Sequence, residues 1–241
     1  MLDTLKFDKK NTQVVAHRGL SGIETENTAT AFVAAGNRSY YGIETDVYRT
    51  ADGKFMLFHD SELKRIGGED LLVEKCSLAV YQSVVLFNKS TGKKDRNDIR
   101  VATLENYIEI CKKYGKVAVL ELKSNFTDQE IADMIDIIKS YDYLENVTFI
   151  AFNIENLFKV RALCPNQTVQ FLTTKYTPEL LATLTENKMD LDILQTCLTK
   201  ENIDELHSLG IKINCWTVDD PDRAAQLAEW GVDYITTNIC E

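Results

Sequence analysis

The sequence predicts an α/β protein of the TIM type, a closed (β/α)₈ barrel. Eight short apolar runs alternate with amphipathic helical stretches, about 20 to 30 residues apart, as expected of parallel strands joined by helices. The length of 241 residues suits one such barrel. A doubly wound open sheet is the alternative, but neither a G-x-G-x-x-G turn nor a P-loop follows an early strand.

Each predicted strand is a short apolar run that ends in polar or turn-forming residues. The first run is Val14-Val15-Ala16, and the third contains four consecutive apolar residues over 117–120. The eight predicted strands span residues 13–17, 41–46, 116–122, 147–152, 168–172, 191–194, 212–216 and 233–236.

The stretches between the strands carry apolar residues at helical spacing, together with residues that start and stop helices. Thr-Pro at 177–178 and Asp-Pro at 220–221 mark two starts, and glycines at 115, 210 and 231 follow three ends. The predicted helices span residues 28–37, 104–113, 128–140, 155–163, 178–187, 200–208 and 221–229.

One interval between the predicted strands is longer than a barrel connection needs. Roughly 45 residues separate His59 from Leu104, with weak periodicity, a Gly67-Gly68 pair and a polar stretch over 88–98. Compact domains rarely carry so long a connection without a purpose. We expect a single domain over 1–241 whose insertion, at about 60–102, covers the barrel mouth and shapes the substrate pocket. A simple surface excursion is the alternative.

Composition and charge argue against several classes of protein. The net charge is −10 and no basic stretch is present, which disfavours a nucleic-acid partner and an anionic membrane surface. No apolar run approaches the ~18 residues of a transmembrane segment, and residues 1–13 lack the apolar core of a signal peptide. The six cysteines are scattered without a C-x-x-C pair, as in reduced cytosolic proteins. We expect a cytoplasmic protein that acts on a small molecule.

Acidic side chains end two of the predicted strands, at the end of a barrel where active sites form. Glu44 and Asp46 share one face of the second strand because side chains alternate, and Glu121 lies near the end of the third. Any one of them alone is better explained as a solvated strand end. Three carboxylates at one mouth repel one another unless a cation lies between them, and oxygen ligands favour Mg²⁺ or Ca²⁺ over Zn²⁺. The sequence therefore predicts one divalent-cation site at these three residues.

A β-hairpin is expected to bring His59 back beside these carboxylates. Asp-Gly at 52–53 is a two-residue turn signal. A type I′ turn at this point pairs Arg49 with Met56 and Asp46 with His59, and opposed side chains point to the same face. The hairpin therefore predicts that His59 lies next to the metal site.

Two of the three histidines, His17 and His59, end segments that are directed at the predicted carboxylate cluster. His207 lies near the end of a predicted helix, where a positive charge is favoured, and we expect it to be structural. Imidazole titrates near neutral pH, so one ring can take a proton from a nucleophile while the other gives one to a leaving oxygen. His17 and His59 are therefore the predicted acid–base pair.

Four motifs follow one another along the chain. They are His17-Arg18-Gly19 with Glu26-Asn27-Thr28, Glu44-x-Asp46 with Asp52-Gly53 and His59-Asp60, Glu121-Leu122-Lys123, and Trp216-Thr217-Val218. In this order they resemble the motifs of the glycerophosphodiester phosphodiesterase family across essentially the whole chain. The resemblance implies a TIM barrel with an insertion after the second strand. It also implies hydrolysis of glycerophosphodiesters to glycerol 3-phosphate and an alcohol such as choline or ethanolamine.

The resemblance implies the same roles for the three carboxylates and the two histidines as those predicted above. It also implies roles for three further residues. Arg18 and Lys123 would hold phosphate oxygens. Trp216 would line the glycerol or head-group side of the pocket, and a place in the barrel core is the alternative. In the implied mechanism, a glycerol hydroxyl next to the phosphate attacks it, and water opens the resulting cyclic phosphate.

Three positions depart from the family pattern. Thr25 and Phe55 each stand where the family has proline, and Asn238 stands where an aspartate is common. We expect none of the three to touch the catalytic groups. They should therefore affect head-group preference and local rigidity rather than the reaction.

Three other functions remain open at this point. Lys123 is placed where a Schiff-base lyase would keep its nucleophile, although neighbouring carboxylates should raise its pKa. A non-catalytic phosphate-binding barrel would leave two convergent histidines without a purpose. A lipid-cleaving relative that stops at the cyclic phosphate would need an exposed apolar rim, which the insertion does not obviously supply.

Overall fold

The structure is a computed structural model that describes residues 3–241. Its strands in that range are β1 (Gln13–Ala16), β2 (Gly42–Arg49), β3 (Phe55–Leu57), β4 (Ala102–Thr103), β5 (Val117–Leu122), β6 (Val147–Ala151), β7 (Val169–Thr173), β8 (Asp190–Leu194), β9 (Ile213–Trp216) and β10 (Tyr234–Thr237). Its helices in that range are α1 (Ala29–Gly36), α2 (Lys64–Gly67), α3 (Leu78–Ser83), α4 (Leu104–Tyr114), α5 (Asp128–Ser140), α6 (Ile154–Leu163), α7 (Pro178–Asn187), α8 (Lys200–Ser208) and α9 (Pro221–Glu229).

Eight of the strands within residues 3–241 close into a parallel barrel with helices between them. The order around the barrel is β1, β10, β9, β8, β7, β6, β5, β2, and β2 pairs with β1 to close it. The predicted (β/α)₈ fold is confirmed. The predicted strands and helices agree with these bounds to within one residue, except that β2 continues to Arg49. Over the described range, no helix has both the length and the apolar character needed to cross a membrane.

The barrel strands bury both of their faces, as parallel strands must. Outward-facing Ile43 and Leu120 are fully buried and belong with Ile108 of α4 to the main hydrophobic core. The inward-facing apolar side chains form a separate cluster that fills the barrel interior, comprising Val15, Val119, Ile150 and Leu172. Because this cluster closes the interior from below, the space open to a ligand lies at the carboxyl ends of the strands.

Side-chain caps start the seven helices that the sequence predicts, α1 and α4 to α9, whereas α2 and α3 have no such cap within the described residues. Pro178 and Pro221 occupy the first turns of α7 and α9, as predicted. At the start of α4, Thr103 and Asn106 form a reciprocal capping box that satisfies two backbone N–H groups. These caps fix where each connection leaves the barrel mouth and becomes helix.

The hairpin between β2 and β3 has a different register from the predicted one. Arg49 pairs with Phe55 rather than with Met56, so Phe58, not His59, lies opposite Asp46, whose carbonyl accepts the Phe58 N–H at 3.0 Å. The loop has three residues, because the Thr50 N–H donates to the Lys54 carbonyl at 2.8 Å. Gly53 has a φ of +77°, as in a type I turn that ends in a bulge. The predicted type I′ register is therefore wrong.

The segment from Phe58 to Val101 forms a folded unit with its own core. Tyr81 of α3 is fully buried, and its hydroxyl donates to the Leu72 carbonyl at 2.6 Å and accepts from the Cys76 N–H at 2.8 Å. The apolar side chains around it form one cluster, comprising Met56, Phe58, Leu63, Val73, Leu86, Ile99 and Val101. β3 joins this unit to the barrel by antiparallel pairing with β2, and β4 pairs antiparallel with β3.

Tyr107 of α4 ties the two strands that carry the acidic residues. Its ring is fully buried, and its hydroxyl donates to the carbonyls of Ile43 at 2.6 Å and Val119 at 3.2 Å. These carbonyls directly precede Glu44 and Leu120, so one hydrogen-bonding group spans β2 and β5 just below the site. A buried acceptor that loses its donor destabilises the fold.

We expect Tyr107→Phe to lower the free energy of unfolding by about 1–2 kcal/mol, because it removes this shared donor without changing the packing of the ring. Urea unfolding followed by circular dichroism measures the change. Tyr141→Phe, at the half-exposed end of α5, is the matched control and should change stability little. Equal stability of Tyr107→Phe and the unsubstituted protein would show that the bridge contributes nothing.

Candidate active site

The carboxyl ends of the barrel strands surround a cavity of about 260 Å³. Seven of the eight predicted site residues line it, and the eighth, Asp46, lies behind them with 1% of its surface exposed. The structure therefore brings the predicted residues together at the place where barrel enzymes act. The seven lining residues are His17, Arg18, Glu44, His59, Glu121, Lys123 and Trp216.

The three predicted metal ligands meet on two adjacent strands. Glu44 and Asp46 point inward from β2, and Asp46 is paired in register with Glu121 of β5. One carboxylate oxygen from each residue lies within 4.8 Å of the other two. An arrangement of oxygen ligands at this spacing could hold a hard divalent cation.

Burial and mutual repulsion set the charge state of this cluster. Burial, followed by the charges of Asp46 and Glu121, raises the pKa of Glu44 well above its ordinary value. Burial, with the charge of Asp46, raises the pKa of Glu121 to about 8. Burial also acts on Asp46, but Arg18 and Lys123 outweigh it and lower the pKa of that carboxyl. These shifts favour the protonated forms of Glu44 and Glu121 in the absence of a cation, while Asp46 stays ionised between its two cationic neighbours.

Two side chains supply positive charge beside the carboxylates. Lys123 Nζ lies 2.9 Å from Glu121 Oε1 and 3.5 Å from Asp46 Oδ1. Arg18 Nε lies 3.5 Å from Asp46 Oδ2, and the Arg18 backbone N–H donates to Glu44 Oε2 at 2.8 Å. Arg18 has a φ of +55°, which turns its backbone N–H toward the carboxylates while its side chain stays at the cavity.

Asp46 carries an unmatched oxygen, which is the observation that fits a cation. Its Oδ2 accepts from Asn27 Nδ2 at 2.8 Å, and Asn27 is itself held by the Thr45 hydroxyl at 2.7 Å. Its buried Oδ1 lies 3.5 Å from Lys123 Nζ but accepts no hydrogen bond from any residue of the described range 3–241. A buried acceptor without a partner is costly, and a metal ion between the carboxylates would satisfy it.

The two predicted catalytic histidines both line the cavity and differ in their partners. His17 Nδ1 lies 2.8 Å from Asn238 Oδ1, and its Nε2 lies 3.9 Å from Glu44 Oε2. Burial, with Arg18 nearby, lowers the pKa of His17 to about 4, so the ring is neutral at pH 7. His59 follows β3 in a bend, and its Nδ1 lies 2.8 Å from Asp60 Oδ1.

The contact between Asn238 and His17 corrects the expectation that the departures from the family pattern do not touch the catalytic groups. Thr237 pairs in register with Ala16, so the residues that follow these two strands are also neighbours. Asn238 Nδ2 donates to Asp219 Oδ2 at 2.6 Å, which leaves its Oδ1 to face the imidazole. A signal for this contact was present in the chain, since the last strand of a closed barrel returns to the first.

The other two departures do not reach the histidines. The Thr25 hydroxyl donates to the Phe87 carbonyl at 2.8 Å and accepts from the Lys89 N–H at 3.1 Å, which links the first barrel loop to the inserted unit. Phe55 is buried against Phe126, with ring centroids 6.2 Å apart. Thr25 and Phe55 therefore make hydrogen-bonding and packing contacts, respectively, at positions where the family has the conformationally restricted proline.

Trp216 lines the cavity and is only partly buried, so its predicted position in the pocket agrees with the structure. Its ring meets that of Phe152 edge to face, with centroids 5.8 Å apart and planes at 89°. His207, in contrast, lies outside the cavity, with its Nε2 2.9 Å from Asp233 Oδ2. That contact agrees with the structural role expected for the third histidine.

Comparison with known proteins gives one consistent family. The Glycerophosphoryl diester phosphodiesterase family matches residues 17–241. Among the relatives, the glycerophosphodiester phosphodiesterase of Bacillus subtilis is 29% identical over 93% of this chain and 82% of its own length. That of Caldanaerobacter subterraneus is 28% identical over 94% of this chain and 94% of its own.

Solved structures agree with the sequence comparison. A phosphodiesterase from Oleispira antarctica, in complex with the product sn-glycerol-3-phosphate, superposes with a TM-score of 0.87 at 27% identity, covering 94% of this chain and 92% of that one. A glycerophosphodiester phosphodiesterase from Parabacteroides distasonis superposes with a TM-score of 0.78 at 28% identity, covering 96% and 94%. The chain is a phosphodiesterase and belongs to the glycerophosphoryl diester phosphodiesterase family.

Proposed function

We propose that this protein hydrolyses glycerophosphodiesters to glycerol 3-phosphate and an alcohol, with a divalent cation and a pair of histidines. The observation that carries the proposal is one cavity that holds three clustered carboxylates, two histidines and two cationic side chains. The product bound to the Oleispira antarctica phosphodiesterase and the names of the relatives support the choice of substrate.

Glu44, Asp46 and Glu121 would hold the cation, which is Mg²⁺ or Ca²⁺ because all three ligands are carboxylates. When bound, the cation supplies the positive charge that neutralises the phosphate and favours ionisation of a hydroxyl. Lys123 and Arg18 line the same cavity and would contact the remaining phosphate oxygens. The pocket thereby accepts an anion although the whole chain is acidic.

His17 is suited to act as the base. Asn238 Nδ2 donates to Asp219, so its Oδ1 must accept, and His17 Nδ1 therefore carries the ring proton. The lone pair of the neutral ring is then on Nε2. His59 is suited to act as the acid, because the Asp60 carboxylate 2.8 Å from its Nδ1 makes a charge-assisted hydrogen bond with a protonated ring.

The chemical step balances with these two groups. The glycerol hydroxyl next to the phosphate attacks phosphorus and loses its proton to His17, while the bond to the leaving alcohol breaks and His59 protonates its oxygen. Water then opens the cyclic phosphate with the two proton transfers reversed. The result is glycerol 3-phosphate, and both histidines return to their starting states.

A Schiff-base lyase is disfavoured by the surroundings of Lys123. Its Nζ contacts Glu121 and Asp46, and although burial opposes the effect, these carboxylates raise the pKa of the amine. A protonated amine is not a nucleophile. A purely phosphate-binding barrel leaves the fixed tautomer of His17 without a purpose.

Activity is tested by phosphorus NMR on glycerophosphocholine and glycerophosphoethanolamine, with and without chelator. We expect hydrolysis that the chelator abolishes and that His17→Ala and His59→Ala each reduce about 10²- to 10⁴-fold. His207→Ala is the matched control and should retain full activity. Complete hydrolysis by His17→Ala or His59→Ala would contradict the proposed mechanism. Complete hydrolysis by the unsubstituted protein in the presence of chelator would also contradict it.

Metal binding is tested by thermal unfolding without any substrate. A ligand that binds only the folded state at 100 times its Kd stabilises by about 2.7 kcal/mol, and each kcal/mol raises Tm by about 2–4 °C in a chain of this size. We expect Mg²⁺ or Ca²⁺ to raise Tm and Asp46→Asn to remove that rise. Asp204→Asn, on the exposed face of α8, should retain it. The same rise in Asp46→Asn would place the ion elsewhere.

The orientation of His17 is tested at Asn238. In Asn238→Asp, two carboxylates replace the amide–carboxylate pair at 2.6 Å, and we expect kcat to fall about 10- to 100-fold as the imidazole loses its fixed partner. Adding Asp219→Asn restores one donor between the two side chains and should recover most of the activity. Steady-state kinetics of both variants measure this, and failure of the second substitution to rescue would contradict the positioning role.

A further inference from the structure

The floor of the cavity contains a buried acid that the proposed mechanism does not use. Asp192 points inward from β8, has 2% of its surface exposed and lines the cavity. Its Oδ2 lies 3.3 Å from Asn214 Nδ2. Its Oδ1 is buried and, among residues 3–241, meets no hydrogen-bond donor.

Asp192 lies one layer of side chains below Trp216. It is paired in register with Asn214 of β9 and with Leu172 of β7, and Trp216 is two residues beyond Asn214 on the same inward face. Like the Asp192 oxygen, Trp216 Nε1 is buried and has no partner in the part of the chain that the structure describes. Two residues that line the cavity therefore each carry a polar atom without a hydrogen-bond partner in residues 3–241.

The remaining walls of the lower cavity are mostly apolar. Ile150 and Leu172 pack with Trp216, whose ring also meets Phe152, and all of them line the cavity together with Thr236. Polar groups held unpaired among apolar walls are typical of a site that recognises a particular polar group on a ligand. Each unpaired group costs free energy in the empty cavity, which a matching ligand group recovers.

The chemistry of the two groups selects the ligand group. An indole N–H only donates, whereas a carboxyl accepts or, when protonated, donates. A hydroxyl can accept a hydrogen bond from the indole N–H and can also donate to, or accept from, the carboxyl group. An ammonium would leave the indole unpaired, and an apolar group would leave both unpaired. Burial, with the charge of Glu121, raises the pKa of Asp192 well above its ordinary value, which also favours a neutral partner.

We propose that Asp192 and the Trp216 N–H form a subsite for a substrate hydroxyl, the terminal glycerol hydroxyl that does not attack phosphorus. The proposal rests on the proposed function, since it assigns one end of that substrate. It makes Asp192 a specificity-determining residue that acts on the glycerol end of the diester. The leaving alcohol can then vary while the glycerol end is recognised.

Two phosphocholine diesters separate this inference from the proposed function. Glycerophosphocholine has a terminal glycerol hydroxyl and no hydroxyl on its head group. The diester of propane-1,2-diol and phosphocholine retains the attacking hydroxyl beside the phosphate but lacks the terminal one. We expect the unsubstituted protein to cleave the second with kcat/KM about 10- to 100-fold lower, the effect of one unpaired buried group.

Asp192→Ala should lose that same factor on glycerophosphocholine and little on the propanediol diester, so that its preference disappears. Asp192→Asn is the second variant, for use if Asp192→Ala folds poorly. It keeps the shape of the side chain and a hydrogen-bonding group, and it should retain part of the preference. Gln170→Met is the matched control, because Gln170 Oε1 contacts the same Asn214 amide at 3.3 Å but does not line the cavity. It should keep the full preference.

Equal cleavage of the two diesters by the unsubstituted protein, or equal losses on both in Asp192→Ala, would overturn the subsite while leaving the phosphodiesterase activity established. Cleavage of neither diester would overturn the proposed function and the subsite with it. The propanediol diester of phosphoglycerol tests the other source of a hydroxyl. In this diester either alcohol can leave, and the phosphate product shows which end occupied the floor. Loss of glycerol 3-phosphate release in Asp192→Ala agrees with the assignment, whereas loss of propanediol phosphate release would mean that the leaving glycerol fills the floor, which contradicts it.

Discussion

Repulsion among three buried carboxylates is the constraint on which the rest of this site depends. Glu44 and Asp46 alternate on one strand, and Glu121 is paired beside them on the next, so the barrel itself forces one oxygen from each to within 4.8 Å. Arg18 and Lys123 offset part of this charge. One Asp46 oxygen still accepts no hydrogen bond among the described residues, and a divalent cation between the three carboxylates would supply a positive charge at that point.

Charged contacts extend from this cluster into the inserted unit. Arg18 Nη1 lies 2.9 Å from Glu26 Oε1, and Arg65 of α2 donates to both Glu26 and Asp60, at 2.6 and 2.7 Å. Burial opposes the effect, yet Arg65 and Arg18 lower the pKa of Glu26 to about 2. Asp60 in turn contacts His59, so the inserted unit orients one histidine while the barrel closure at Asn238 orients the other.

Sequence periodicity predicts the barrel well because each barrel strand is a short apolar run with polar ends, and each of the seven predicted helices starts at a side-chain cap. The register of the hairpin, in contrast, could not be predicted from the sequence. A two-residue turn and a three-residue loop with a bulge use the same Asp-Gly pair, and the choice depends on packing around Phe55 and Phe58. The interpretation of Asp-Gly as a type I′ turn was therefore wrong, although His59 reaches the cavity through the bend after β3.

Some residues of the site could be predicted from the sequence, and others could not. The acidic residues and histidines could be predicted because several ionisable side chains follow apolar strands at the end of the barrel where active sites form. Asn238 depends on the pairing of the first strand with the last, which no local pattern contains. Asp192 lies between Leu191 and Ile193, an alternation that in an open sheet indicates a solvent-facing acid; in a closed barrel the same alternation directs it to the interior.

The most direct test of a cation among the three carboxylates is anomalous diffraction from crystals soaked in Mn²⁺, which binds the same oxygen ligands as Mg²⁺. We expect one strong anomalous peak bounded by Glu44, Asp46 and Glu121. A cavity without such a peak, while Mn²⁺ binds elsewhere on the protein, would contradict it.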